Sequence, residues 1–178
     1  MRQVSGPDAA GRDAATRLRS AGQVATYGRL LATAAYTAAV GDRRDAASDL
    51  LDEAAEAGRR GGGRDGFADV DVALYRIGVS RVLGDFGAAV QHARALRPVQ
   101  LGSVERRARY WEDYALALHG RGAYGESFRA LQAAERIAPQ EVRYRPWAQQ
   151  LSAALLDADR RQSLPGLRSF AARIGTTV

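Results

Sequence analysis

The sequence predicts an all-α fold in which antiparallel helix pairs stack on one another, and three observations predict it. Apolar residues recur at three- and four-residue spacing, as at Phe128, Leu131, Ala134 and Ile137, while strand-type alternation is absent. Three segments repeat one order of parts: an apolar stretch, a glycine-centred turn, and an alanine-rich amphipathic stretch. The turns carry Gly41, Gly84 and Gly122, spaced 43 and 38 residues apart. Glycine ends a helix at such a corner by entering the left-handed region that a side chain penalises.

The third segment is the sharpest copy. Numbered as a repeat of about 34 residues from Ala108, it puts Trp111, Ala115, Gly122, Tyr124, Ser127, Leu131, Ala134 and Pro139 on the signature places of the tetratricopeptide pattern, with serine where a small alanine is usual. With Gly84 at the same corner, Ala73, Ile77, Phe86, Ala89 and Ala93 fall on those places in the second segment, and Pro98 arrives early. With Gly41 there, Leu30, Ala34, Ala46 and Leu50 do so in the first, where Arg43 replaces the turn aromatic. The predicted architecture is a right-handed superhelix of antiparallel helix pairs, tetratricopeptide-like α-α repeats. Ala34, Ala46, Ala89 and Ala115 let helices approach closely, and Phe86, Trp111, Tyr124 and Leu131 fill the space between pairs.

In chain order, residues 1–12 are expected to be disordered and 13–178 to form the repeat domain, opening with a leading helix over Asp13–Ala25. Pairs follow at about 27–58, 68–98 and 104–139, with closing helices over 141–175. Gly58 to Gly66 reads as a flexible connector. It is not a phosphate-binding loop, because no strand precedes it and the chain contains no lysine. Pro146 opens a helix with Trp147, Leu151, Ala154 and Leu155 as its buried stripe. Ser163 is expected to cap a last helix carrying Leu167, Phe170 and Ile174, which Gly175 ends.

Composition narrows the function. The 178 residues are 46% hydrophobic and 26% charged, which suits one folded domain. There is no cysteine, so disulfides and thiolate chemistry are excluded. The longest uncharged apolar run, Leu30 to Val40, is well short of the roughly 20 residues that cross a bilayer, and Met1 to Gly11 lacks the apolar core of a signal peptide. No membrane association and a cytoplasmic location are expected. The net charge of +6 comes entirely from arginine on the basic side, but the arginines are scattered in pairs such as Arg106-Arg107, as on solvated helix faces.

No catalytic constellation is found. His92 and His119 stand 27 residues apart with no helical ligand motif, no nucleophile-elbow pattern occurs, and Glu112 and Asp113, as sequence neighbours, point in different directions and read as surface charges. The expectation is a non-enzymatic protein without metal or cofactor.

Tyr27 to Asp42, Val72 to Val79 with Leu83-Gly84-Asp85, Arg136 to Pro146, and the closing Leu167 to Gly175 segment resemble the C-terminal sensor half of actinobacterial, Streptomyces-type helix-turn-helix regulators of the Xre family, over roughly residues 25 to 175. The resemblance implies a helical repeat region that senses a peptide or small ligand, or dimerises, downstream of a DNA-binding domain. Met1 to Ala25 is too short to hold that domain, so direct DNA binding is not expected.

In tetratricopeptide register the first helix of each pair lines a concave face. That face is assigned Asp71, Leu74, Tyr75, Gly78, Arg81 and Val82 from the second segment, and Arg109, Glu112, Asp113, Leu116 and His119 from the third. Its mixture of aromatic, basic and acidic groups suits a peptide, protein or small-molecule ligand. Leu74 and Tyr75 read equally well as core between pairs. The alternatives for the whole chain are a homodimerising scaffold and a nucleic-acid-binding accessory protein using the arginine surplus.

Overall fold

A computed structural model of the chain describes residues 21–60, 69–160 and 163–176. Among them it contains nine α-helices, one 3-10 turn and no strand, so the all-α class holds. In chain order the helices are α1 (Ala21–Val40), α2 (Arg44–Arg60), α3 (Asp69–Val82), α4 (Phe86–Ala95), α5 (Val104–Gly120), α6 (Tyr124–Ile137), α7 (Pro139–Tyr144), α8 (Pro146–Ala158) and α9 (Leu167–Arg173), with the 3-10 turn at Pro98–Gln100. Two compact units divide the chain, Met1–Tyr75 and Arg76–Val178, with the boundary inside α3. The expected disordered start, and the leading helix up to residue 20, lie outside the described residues. So does the glycine connector beyond Arg60; its first residues, Gly58 to Arg60, are the last of α2, and Gly58 is buried.

In the first unit α1 packs against α2 through small residues. Ala32, Ala54 and Ala57 are fully covered, and Ala25, Leu31 and Val72 join them. Tyr27 on α1 donates its hydroxyl hydrogen bond to Glu53 on α2. Burial, reinforced by that carboxylate, pushes the Tyr27 phenol up to about 12.

The corner between α1 and α2 corrects the expected register. The residue with positive φ is Asp42, at 53°, rather than Gly41. Its N–H donates to the Ala39 carbonyl and the Arg43 N–H to the Ala38 carbonyl, at 3.0 and 2.9 Å. Gly84, at φ 75°, repeats this pattern with Gly84 to Arg81 and Asp85 to Ser80; Gly122, also at 75°, repeats it with Gly122 to His119 and Ala123 to Leu118. These are paired 5→2 and 6→1 helix-ending bonds, so the equivalent residues are Asp42, Gly84 and Gly122. Shifting the first segment by one residue places Leu31, Ala35, Ala47, Leu51 and Ala54 on the packing positions, and all five are buried. Leu30 is instead 63% exposed, Ala34 is exposed, and Ala46 and Leu50 are half-buried. A one-residue error turns a helix by about 100°, enough to exchange Leu30 for Leu31.

In the second unit α5 packs on α6, and the serine in the small-residue place is accommodated without loss. Ser127 is buried and its hydroxyl donates to the Ala115 carbonyl at 2.8 Å. Two helix starts carry side-chain caps: Ser103 Oγ accepts from the Arg106 N–H at the head of α5, and Asp85 Oδ1 from the Ala88 N–H at the head of α4. Tyr110, buried on α5, donates to the Ala93 carbonyl of α4 at 3.0 Å. Phe86 lies over Gly120, so close that a Cβ there would meet three ring atoms at 2.6 Å. Tyr124, expected as inter-pair filler, is 39% exposed and instead faces the His119 ring at 5.4 Å. Trp111 is only half-buried.

Beyond the third corner the chain folds back onto α5 and α6. Pro139 and Pro146 each open a helix, α7 and α8. Arg145 is extended (φ −93°, ψ 129°) because the following proline disfavours the α region, and this separates α7 from α8. Leu151, Leu155, Leu167 and Phe170 complete the core with Phe128 and Leu131, and Phe128 meets Phe170 edge-on at 5.6 Å. Ser163 does not cap α9: Gly166, at φ 83°, holds that position, while the Ser163 N–H and hydroxyl both donate to Asp159 Oδ1 at 2.7 Å. Gly175 does end α9, at φ 74° with the Thr176 N–H on the Ala171 carbonyl.

Candidate functional site

The residues assigned to the concave face fall in both units. In the first, Asp71 and Leu74 are buried and Tyr75 is half-buried, its hydroxyl 3.2 Å from Thr33 Oγ1 on α1. The packing reading of Leu74 and Tyr75 therefore describes them better than an open groove does.

In the second unit Gly78 is buried, Val82 is half-buried, and Arg81 is spent on an internal contact. Arg81 Nε donates to Asp113 Oδ1 at 2.7 Å, and Arg109 Nε, one turn earlier on α5, donates to Asp113 Oδ2 at 2.9 Å. Asp113 is 1% exposed, so it is not the surface charge its sequence position suggested. Two charge-assisted bonds hold it and bridge α3 to α5. Removing one partner of such a buried pair costs about 3 to 5 kcal/mol, which makes the Arg81–Asp113 contact structural.

Leu116 is half-buried against the core of the unit. His119 lies under Tyr124, and burial holds its imidazole below the usual value. It is thus neutral near pH 7 and contributes no helix-end charge. Burial first, and Arg76 next, lower His92 as well. Among the described residues no three His, Cys, Asp or Glu side chains converge on a point that could hold a metal ion.

Arg109 and Glu112 open onto something else. A cavity of about 200 Å³ lies between α5, α6, α7 and α8. From α5 come Glu105, Ala108, Arg109 and Glu112, on one helix face at i, i+3, i+4 and i+7 spacing. From the α7 region come Glu141, Val142 and Arg145, α8 supplies Trp147, and Ala134 of α6 completes the wall. Ala108, Ala134 and Val142 are buried, so part of the lining is apolar. Arg145 Nε bonds Glu141 Oε2 at 2.7 Å, one helical turn apart.

Glu112 differs from the other charged groups in this lining. Among the described residues it makes no hydrogen bond or ion pair. Burial raises its carboxyl above the ordinary glutamate value and Asp113 pushes the same way, while Arg109, Arg81 and Arg145 pull it down without reversing the shift. Glu105, by contrast, is drawn below the ordinary value by hydrogen bonds to its own backbone N–H and to Ser103 at the head of α5.

Sequence reasoning found Arg109 and Glu112 and missed Glu105, Glu141, Arg145 and Trp147 as members of a site. The available signal was a short helix bracketed by Pro139 and Pro146, with Glu141 and Arg145 four apart on it. Comparison of the chain with protein-family models, with curated proteins and with solved structures finds no match.

Proposed function

We propose that the chain is a non-enzymatic regulatory binding module, a tetratricopeptide-like right-handed superhelix of helix pairs that takes up an extended peptide or protein segment. The cavity between α5 and the α7–α8 turn carries this reading, since it joins buried apolar wall, an indole and charged groups within one pocket. Equivalent corner bonding at Asp42, Gly84 and Gly122 supports the repeat architecture. At about 200 Å³ the cavity is smaller than the roughly 300 to 1,000 Å³ that enclose a whole small-molecule ligand, which favours a single side chain anchored from a longer chain. A link to transcriptional control rests on the Xre-type resemblance alone.

The test is selection of binders from a random peptide display library, followed by calorimetric titration. The selected peptides are expected to bind wild type at micromolar Kd and to lose at least about tenfold, or 1.4 kcal/mol, against Trp147→Ala. A library that yields no binder, or binders indifferent to that variant, contradicts the reading.

A second reading, self-association, is favoured by one observation. Leu30 and Val40 on α1 are 63% and 65% exposed, and Thr33, Ala34 and Thr37 continue the same uncharged face. Thr33 and Thr37 return their hydroxyls to the Arg29 and Thr33 carbonyls of the same helix. The occupant of such a self-similar face is a second copy of the chain. Light scattering over a hundredfold concentration range should then show a dimer that Leu30→Arg abolishes, and a monomer throughout removes this reading.

A further inference from the structure

Resting on the binding reading above, we infer that the cavity receives a basic side chain, a lysine or arginine of the bound peptide, with the Glu112 carboxylate as its counter-ion and the Trp147 indole beside its methylenes.

The charged groups of the lining decide the sign of the ligand. Arg109 is already bonded to Asp113 at 2.9 Å and Arg145 to Glu141 at 2.7 Å, so each arginine has a carboxylate in place before any ligand arrives. Glu112 has none, and Glu105 adds a second carboxylate two turns earlier on the same helix face. An anionic ligand would have to compete with two existing ion pairs and approach Glu112, which has no ion-pair partner, with the Glu105 carboxylate on the same face. A cation meets the reverse situation, and its charge offsets the desolvation that Glu112 bears when ionised.

The remaining lining fits the rest of such a side chain. Lysine and arginine carry an apolar stem below a charged head, and the buried Ala108, Ala134 and Val142 offer that stem a dry surface. Trp147 brings an indole to the lining, the most favourable aromatic for a nearby cation. The volume admits one such side chain and little more.

Four capped single residues serve as probes: the N-acetyl methylamides of lysine, arginine, norleucine and glutamate. Each is titrated into the 15N-labelled full chain, and amide shifts are followed along 104–112 and 139–149. The lysine or arginine probe is expected to shift these resonances with at least tenfold tighter apparent Kd than norleucine, and Glu112→Gln, which keeps the shape and removes the charge, is expected to erase that margin. Norleucine binding as well as lysine overturns the inference and leaves a neutral side-chain pocket. Preference for the glutamate probe overturns it in favour of an anion site. If no probe shifts these resonances although the library peptides bind in a Trp147-dependent way, the inference falls and the binding reading stands. If the peptides fail too, both fall.

Discussion

Replacing Gly120 with alanine tests the packing of α4 on α5 at one atom. The added Cβ would lie 2.6 Å from Cγ, Cδ1 and Cδ2 of Phe86, about 1 Å inside the optimal 3.5 to 4.0 Å separation of carbon atoms. Three contacts with one rigid ring cannot be relieved by a small torsion, so Phe86 must swing away and surrender its burial. Overpacking of this kind costs about 1 to 3 kcal/mol. The entropy gain from replacing glycine in a helix, about 0.5 to 1 kcal/mol in mid-helix, is reduced here because Gly120 is the last residue of α5. The expected net loss is about 1 to 2 kcal/mol, a fall in Tm of roughly 3 to 6 °C for a chain of this size, read by circular dichroism. In a Phe86→Ala background the same substitution should be neutral or mildly stabilising. Gly87→Ala, whose Cβ meets only Asp85 Oδ1 at 3.6 Å, serves as the benign control. If Gly120→Ala is neutral in the wild-type background, or costs as much without the ring as with it, Phe86 does not lie over Gly120.

Further predictions follow from the corners and from the titrating groups. Asp42→Gly should stabilise by up to about 1 kcal/mol because it relieves a left-handed non-glycine residue, while Gly84→Ala and Gly122→Ala, with open space around the new Cβ, should each cost about 1 kcal/mol through φ alone. Gly41→Ala should be harmless, which separates the observed register from the one centred on Gly41. Glu135 is held below the ordinary glutamate value of 4.5, chiefly by its hydrogen bond to Arg173. Its pairing therefore stabilises above that pH and is lost as pH falls through the lower folded value; Glu135→Gln should cost about 0.5 kcal/mol at pH 7, allowing for solvent screening, and progressively less as pH falls through that lower value. Glu112 has the opposite sign: its contribution is present below pH 4.5 and lost as pH rises through the raised folded value. Glu112→Gln should accordingly raise Tm at pH 7 and leave it unchanged near pH 4.

The third corner was legible in the sequence because several independent residues agree there, with Gly122 at the turn and Ala115 and Ser127 facing across it. At the first corner two neighbours compete. Glycine is the stronger left-handed signal, but aspartate also visits that region, and only the hydrogen bonds of Asp42 and Arg43 decide between them. Half of the cavity lining was visible for the same reason as the good corner: Arg109 and Glu112 share a face fixed by the α5 register. Its other half comes from Glu141, Arg145 and Trp147, which reach α5 only because two prolines break the chain after α6 and turn it back. Local periodicity carries no information about that return. Nor could adjacency reveal that Asp113 is buried while Glu112 lines a cavity, since the distinction depends on Arg81 arriving from another helix.

Following the Glu112 carboxyl carbon by 13C NMR against pH, free and then saturated with the lysine probe, measures the desolvated charge that the cavity is built around. A midpoint above that of an ordinary glutamate in the free protein, moving downward when the probe is bound, is the predicted result. An ordinary midpoint that the probe leaves where it was would contradict the account.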